Sequence, residues 1–138
     1  MKAGVDYIGV GCGAIIINDN DEILLVKRSL SSRTDPGLWS RPGGEVEFGE
    51  TVHEAVEREV LEETGIRVKI DRFLCMDENM EESKHWIALG FLTRYVSGEV
   101  KNLEPDKHDE VKWVSLNDLP KNLTEYTRHS LDVYLSQH

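Results

Sequence analysis

The sequence predicts an α/β fold, an α/β/α sandwich in which two helices enclose a mixed β-sheet. Three observations carry this expectation. A capped amphipathic helix lies between Thr51 and Gly65, a second amphipathic helix lies near the C-terminus, and five β-branched or alternating apolar runs are separated by turn residues. At 138 residues, one domain spanning 1–138 is expected, long enough to bury a core.

Tyr7 to Ile17 reads as a strand, glycine-rich first and β-branched afterwards. Gly9-Val10-Gly11-Cys12-Gly13 invites comparison with a dinucleotide loop, but no helical pattern follows it, and close backbone packing in a sheet explains it better. Asn18 to Asp21 is a turn, and Ile23 to Val26 returns as the partner strand of a hairpin. Lys27 and Arg28 end that strand, and Ser29 to Gly37 is a loop. Leu38-Trp39-Ser40 leads into Arg41-Pro42-Gly43-Gly44. The sequence leaves open whether Arg41 contacts an anion or pairs with a glutamate.

Thr51 opens the first helix. Thr-x-x-Glu from Thr51 to Glu54 is a capping box, in which each side chain satisfies an orphan backbone N–H. Gly65 is the expected stop, because glycine accepts the left-handed conformation after a last helical turn. Arg67 to Cys75 reads as a strand, Met76 to Lys84 as an acidic loop, and His85 to Tyr95 as a central strand. Glu99 to His108 is a loop, Glu110 to Ser115 a strand and Leu116 to Pro120 a turn. Thr124 to Ser136 is the terminal helix, packing through Thr127, Leu131, Tyr134 and Leu135.

The charge is unevenly placed. Gly43 to Ile66 holds eight acidic residues and one basic residue, so this stretch supplies −7 of the formal −10. At about 100° per residue, Val52, Ala55, Val56 and Val60 form one apolar stripe. Glu59 and Glu63 fall inside the stripe, Glu62 lies on its edge, and Arg58 sits beside Glu62 on the flank. An uncompensated carboxylate on a packed face costs several kcal/mol. Such glutamates are therefore either protonated or accompanied by cations, and three carboxylates on one turn suit a hard, oxygen-seeking ion such as Mg²⁺.

The spacing of Gly44, Glu50, Arg58, Glu59, Val60, Glu62, Glu63, Gly65 and Ile66 matches G-x5-E-x7-R-E-U-x-E-E-x-G-U at every fixed position, where U is aliphatic. The chain therefore resembles the Nudix hydrolases, the MutT-like pyrophosphohydrolases. The resemblance implies the Nudix fold and a Mg²⁺-dependent cleavage of a pyrophosphate linkage, with Mn²⁺ as a substitute ion. It also implies that Glu59, Glu62, Glu63 and the Gly43 carbonyl hold the metal, that Arg58 orients the glutamates, and that Glu50 braces the loop or joins the outer metal shell. Glu62, Glu59 or, from outside the helix, Glu110 is the expected general base. Arg28 is the expected phosphate contact, and Trp39, Trp113 and Tyr126 are candidate walls for a base. Arg41 departs from the apolar residue that often precedes Pro-Gly-Gly in the family.

Leu103 to Pro120, LEPDKHDEVKWVSLNDLP, resembles the closing segment of nucleoside-triphosphate pyrophosphatases of this family, whose loop acids can reach the metal; Asp109 and Glu110 are the candidates. His85-Trp86 matches the same subgroup more weakly, and His85 is a candidate substrate contact. The proline that ADP-ribose hydrolases carry past the motif is replaced by Glu81, and the arrays of the NADH and coenzyme A hydrolases are missing. The expected substrate is a nucleoside triphosphate, ordinary or oxidised, cleaved to monophosphate and pyrophosphate. ADP-ribose, a nucleotide sugar or a dinucleotide polyphosphate is the alternative, and a non-catalytic nucleotide-binding domain is the alternative of another class.

Composition narrows the partners. A net charge of −10 without a basic stripe argues against binding nucleic-acid polymers, since few counterions would be released. Cys12 and Cys75 share no metal-ligand or redox spacing and read as buried thiols of a reducing compartment. The apolar run from Ile8 to Ile17 is too short for a membrane span, and Asp6 interrupts any leader-like pattern. A cytoplasmic protein with no membrane partner is expected, and a homodimer is left open.

Overall fold

The computed structural model describes all 138 residues. The elements are β1 (Gly9–Ile17), β2 (Glu22–Arg28), β3 (Trp39–Ser40), β4 (Gly43–Glu45), α1 (Val52–Thr64), β5 (Arg67–Glu81), β6 (Lys84–Ser97), β7 (His108–Ser115) and α2 (Glu125–Ser136). They form a mixed seven-stranded sheet with one helix on each face, the sandwich that the sequence predicts.

Alternation along the central strands divides the core in two. Ala14, Ile16 and Leu24 point to α1 and meet Ala55, Val56 and Val60. Ile15, Ile23 and Leu25 point the other way and meet Leu131 of α2, together with Leu74 and Leu92. Thr127, Ser130 and Leu131 are the buried residues of α2. Leu135, expected in that interface, is 42% exposed because it falls on the outer side of the last turn. No helix is long and apolar enough to cross a membrane.

The first hairpin is closed only at its turn. Ile17 pairs with Ile23, and beyond that point β1 and β2 diverge. β6 runs parallel to β1 along its whole length, and β7 runs antiparallel to β2. The remaining edges of the diverging strands are filled by the chain between Trp39 and Glu45. Its first half, β3, pairs with Val26 and Lys27 of β2, and its second half, β4, pairs with Gly11, Cys12 and Gly13 of β1. These two short strands were not expected from sequence, since two or three residues carry no period. A Cβ at Gly43 would strike the Cys12 carbonyl, so only glycine lets the backbone lie this close.

A second difference concerns Met76 to Lys84, expected as an acidic loop. β5 runs on to Glu81 and forms a long hairpin with β6, turning at Glu82 and Ser83. Ladder pairing with β6 outweighs the low strand propensity of this acidic run. The two amphipathic helices follow the sequence closely. Thr51 caps α1 with both bonds of the capping box in place, and Gly65 ends it at φ 79°.

Candidate active site

The fork between β1 and β2 opens into a cleft with two compartments. They share Arg28, Gly43, Gly44, Glu45, Glu63 and His108 as a common rim. One compartment, about 270 Å³, is walled by Val26, Cys12, Trp86 and Tyr126, with Arg41 beside them. The other, about 500 Å³, is lined by no apolar residue and gathers Glu59, Glu63, Glu104, Lys107, His108 and Arg28.

Helix α1 supplies the carboxylates. Glu63 is 3% exposed, and its Oε2 accepts the Gly43 N–H at 3.0 Å. Burial, and then the neighbouring charge of Glu59, push its pKa up to about 9. Glu59 is also raised, by burial first, although Arg58 opposes the shift. A Cβ at Gly44 would come within 2.5 Å of the Glu59 carboxylate, so glycine there makes room for it. Glu62 is half exposed and faces outward beside Arg58.

Arg58 fixes this arrangement. Its Nε and Nη2 donate to the two oxygens of Glu50 at 3.0 and 2.7 Å, a bidentate pair. Nη1 donates to Glu59 at 2.9 Å and to Glu62 at 3.2 Å, and Nη2 also reaches the Glu45 carbonyl at 3.1 Å. The pairing with Glu50 holds the Glu50 carboxyl below its ordinary range and raises the guanidinium pKa. Arg58 therefore joins the loop that follows β4 to the helix face bearing Glu59.

From the other side the closing segment brings Glu104 and His108. Carboxylate oxygens of Glu63 and Glu104 and a ring nitrogen of His108 all lie within 4.8 Å of one another. The His108 Nε2 stands 3.5 Å from Glu63, while its Nδ1 is buried without a partner. Burial lowers the His108 pKa, although the charge of Glu104 opposes the shift. Neither residue was singled out from sequence. Glu104 and His108 lie in the stretch from Glu99 to His108 that the sequence marks only as a loop, and the sequence offers His108 no pairing partner. The signal that bears on them is their position within the closing segment.

The match to the NUDIX domain model extends over residues 8–134, nearly the whole chain. The chain belongs to the Nudix hydrolase family. A MutT NUDIX hydrolase from Burkholderia pseudomallei superimposes with a TM-score of 0.82 at 40% identity, covering 92% of this chain and 98% of that one. The NAD-capped RNA hydrolase NudC of Pseudomonas aeruginosa is 35% identical over 89% of this chain and 43% of its own length. An ADP-ribose pyrophosphatase from Methanocaldococcus jannaschii is 38% identical over 77% of this chain and 62% of its own. The chain thus spans less than two thirds of the length of either curated relative.

Against this Nudix frame the expected site residues divide. Glu59, Glu63, Gly43, Arg28 and Tyr126 line the cleft. The Arg28 guanidinium is held by Ser32 and Thr34 of the following loop, at 2.9 and 2.8 Å from their hydroxyls. Trp86 also lines the apolar compartment, whereas its neighbour His85, the expected contact, lies outside both compartments with its Nε2 2.6 Å from Glu78. Three residues lie elsewhere. Trp39 is buried in the α2-side core with Lys112 over its ring at 5.0 Å. Trp113 pairs across the sheet with Leu24, shares its α1-side core, and packs edge-on against Tyr95. Glu110 faces outward on β7, opposite Lys27 and 4.0 Å from Lys112. The strand begins at His108, so strand geometry carries Glu110 away, and the turn before it presents Glu104 to the cleft instead.

Proposed function

We propose that the chain hydrolyses the pyrophosphate linkage of a nucleoside triphosphate, giving a nucleoside monophosphate and pyrophosphate. The observation that carries this is the pairing of compartments: buried carboxylates in an entirely polar hollow, joined through a shared rim to an apolar hollow walled by two aromatic rings. Phosphates fit the first and a base fits the second.

The donor set suits a divalent metal. Glu59 and Glu63 are both held above the ordinary carboxylate range by burial, and the like charge of Glu59 adds to the shift of Glu63, a conflict that a hard cation among them relieves. Glu59, Glu63 and the outward-facing Glu62 would hold Mg²⁺ or Mn²⁺, with Gly43 at the rim. When bound, the metal offsets phosphate charge and lowers the pKa of water. Arg58 keeps Glu59 oriented through its bonds to Glu50 and Glu59. Lys107 and Arg28 meet the phosphate oxygens. Glu104, rather than Glu110, is the carboxylate from the closing segment placed to accept the proton of the attacking water, alongside Glu59.

The reading is restricted to small nucleotides. The relative NudC is named for NAD-capped RNA, but the present chain carries −10 with its acids concentrated at the cleft, which disfavours an RNA strand. The test is a screen of nucleoside triphosphates, ADP-ribose, nucleotide sugars, dinucleotide polyphosphates and NAD with Mg²⁺, with products identified by mass. Triphosphates should give the highest kcat/KM. Faster turnover of ADP-ribose or a nucleotide sugar would replace the substrate assignment and leave the reaction class.

A further inference from the structure

Arg41 is a charged group that phosphate chemistry leaves unused. It is 4% exposed, in a chain whose acids cluster on the opposite side of the same cleft, yet it makes no ion pair. Asp77 attracts it only from beyond ion-pair distance, and burial lowers its pKa. Its two side-chain hydrogen bonds both leave Nη1, for the Tyr126 carbonyl at 3.0 Å and for the Ser130 hydroxyl. Nε and Nη2 keep three donors free.

The sheet is built to admit this side chain. Gly13 and Gly90 are register partners across β1 and β6. A Cβ at Gly13 would collide with the Arg41 Nε, and one at Gly90 would lie 2.8 Å from Nη1 and 2.7 Å from the Ser130 hydroxyl. Two facing glycines thus form a flat window on which the guanidinium rests. The Tyr126 ring lies 4.9 Å from the guanidinium carbon, and the Tyr126 hydroxyl is fixed by Ser40 at 3.0 Å. Arg41 and Tyr126 both line the apolar compartment, with Trp86 across from them. An arginine serving only to join β3 to α2 would need just the Nη1 bonds, whereas the unpartnered Nε and Nη2 are not buried and stand open to the cleft.

We propose that Arg41 sets base specificity, donating from Nε and Nη2 to a purine that presents two adjacent acceptors, as the O6/N7 edge of guanine does. This rests on reading the cleft as a nucleotide site. Guanidinium is donor-only, so the amino group of adenine, a donor beside N7, would face it unfavourably.

The test compares kcat/KM for GTP, 7-deaza-GTP and ATP with Mg²⁺, together with calorimetric binding of the corresponding monophosphates, in the intact protein and in Arg41→Leu. The expected result is a preference for GTP over ATP of about 10-fold or more, the range of a good bidentate contact. 7-Deaza-GTP, which lacks the N7 acceptor, should fall toward ATP. Arg41→Leu should bring the three within about 3-fold of one another. If the variant fails to fold, the 7-deaza comparison on the intact protein decides alone. Turnover of all three at equal rates overturns the role of Arg41 and leaves the nucleotide assignment standing, as does a variant with lower thermal stability but the same base ranking. Failure to bind or cleave any nucleotide overturns both.

Discussion

The two compartments of the cleft each hold a buried ionisable group, and they hold it by opposite means. In the polar compartment, Glu63 shares one helical face with Glu59 and meets Glu104, so carboxyl groups are crowded together and Glu63 is pushed toward its protonated form. In the apolar compartment, Arg41 stands apart from any carboxylate, fixed by hydrogen bonds from α2 and laid over two glycines. The first arrangement is unstable until a cation enters, and the second is firm but unsaturated. On the proposed function, the compartment that gathers metal and phosphate is relieved by its ligand, and the compartment that reads a base stays rigid.

The contrast breaks most strongly at the carboxylates. Glu63→Gln keeps the acceptor for the Gly43 N–H but removes the carboxylate that we propose as a metal ligand. It should lower Mg²⁺-dependent turnover by more than about 100-fold, since even outer-shell changes at metal sites cost roughly 10–100-fold. Glu62→Gln should act in the same direction, with the circular dichroism of both unchanged. Near-normal turnover in both would remove the helix from the chemistry.

Arg58 tests whether orientation matters as much as charge. Arg58→Lys keeps the charge but cannot bridge Glu50, Glu59 and the Glu45 carbonyl together. A fall in kcat of about 10-fold or more is expected, comparable with loss of outer-shell partners elsewhere. A lysine variant with full activity would show that one positive charge near the glutamates suffices.

The pH dependence of the metal-free protein separates the compartments thermodynamically. Glu63 has its folded pKa raised from 4.5 to about 9, so between those values the folded state keeps a proton that the unfolded state has released. Stability from this group is therefore fully present below pH 4.5 and falls as pH rises toward 9, the reverse of an ordinary paired carboxylate. With chelator present, the Tm of the intact protein minus that of Glu63→Gln should decline across pH 5 to 9. Added Mg²⁺ should restore it at the alkaline end by binding the native state. A difference that is flat with pH would show Glu63 to be solvated.

The smallest effect is expected at Glu110. Exposed on β7 and loosely placed near Lys112, it should tolerate alanine with kcat changed less than about 2-fold, as solvent-exposed pairs contribute little. Glu104→Ala, in the polar compartment, should cost about 10-fold or more as a proton acceptor is lost. Steady-state kinetics of the two variants side by side would show which acid of the closing segment serves the cleft.

Much of the polar compartment was legible because it is local. Glu59, Glu63 and Arg58 lie within two turns of one helix, so periodicity alone puts the carboxylates on the packed face, and Thr51 and Gly65 fix its ends. Glu104 and His108 were not legible, because a loop has no period to say which side chains turn inward. Arg41 was visible as an oddity only. Its meaning depends on Gly13, Gly90, Tyr126 and Ser130, which are brought together by the sheet and by α2 from distant parts of the chain. Trp39 and Trp113 show the converse limit: aromatic side chains suit a core and a base pocket equally well, and only strand register assigned them to the core.

The central claim is that the cleft cleaves a nucleotide pyrophosphate with a metal on the α1 glutamates. Hydrolysis of GTP with Mg²⁺ in water enriched in heavy oxygen, with products read by mass spectrometry, tests it most directly. The expected result is metal-dependent formation of monophosphate and pyrophosphate, with the label in the monophosphate, which marks attack at the α-phosphorus. Absence of Mg²⁺-dependent cleavage of GTP and of every other nucleotide pyrophosphate offered would contradict it.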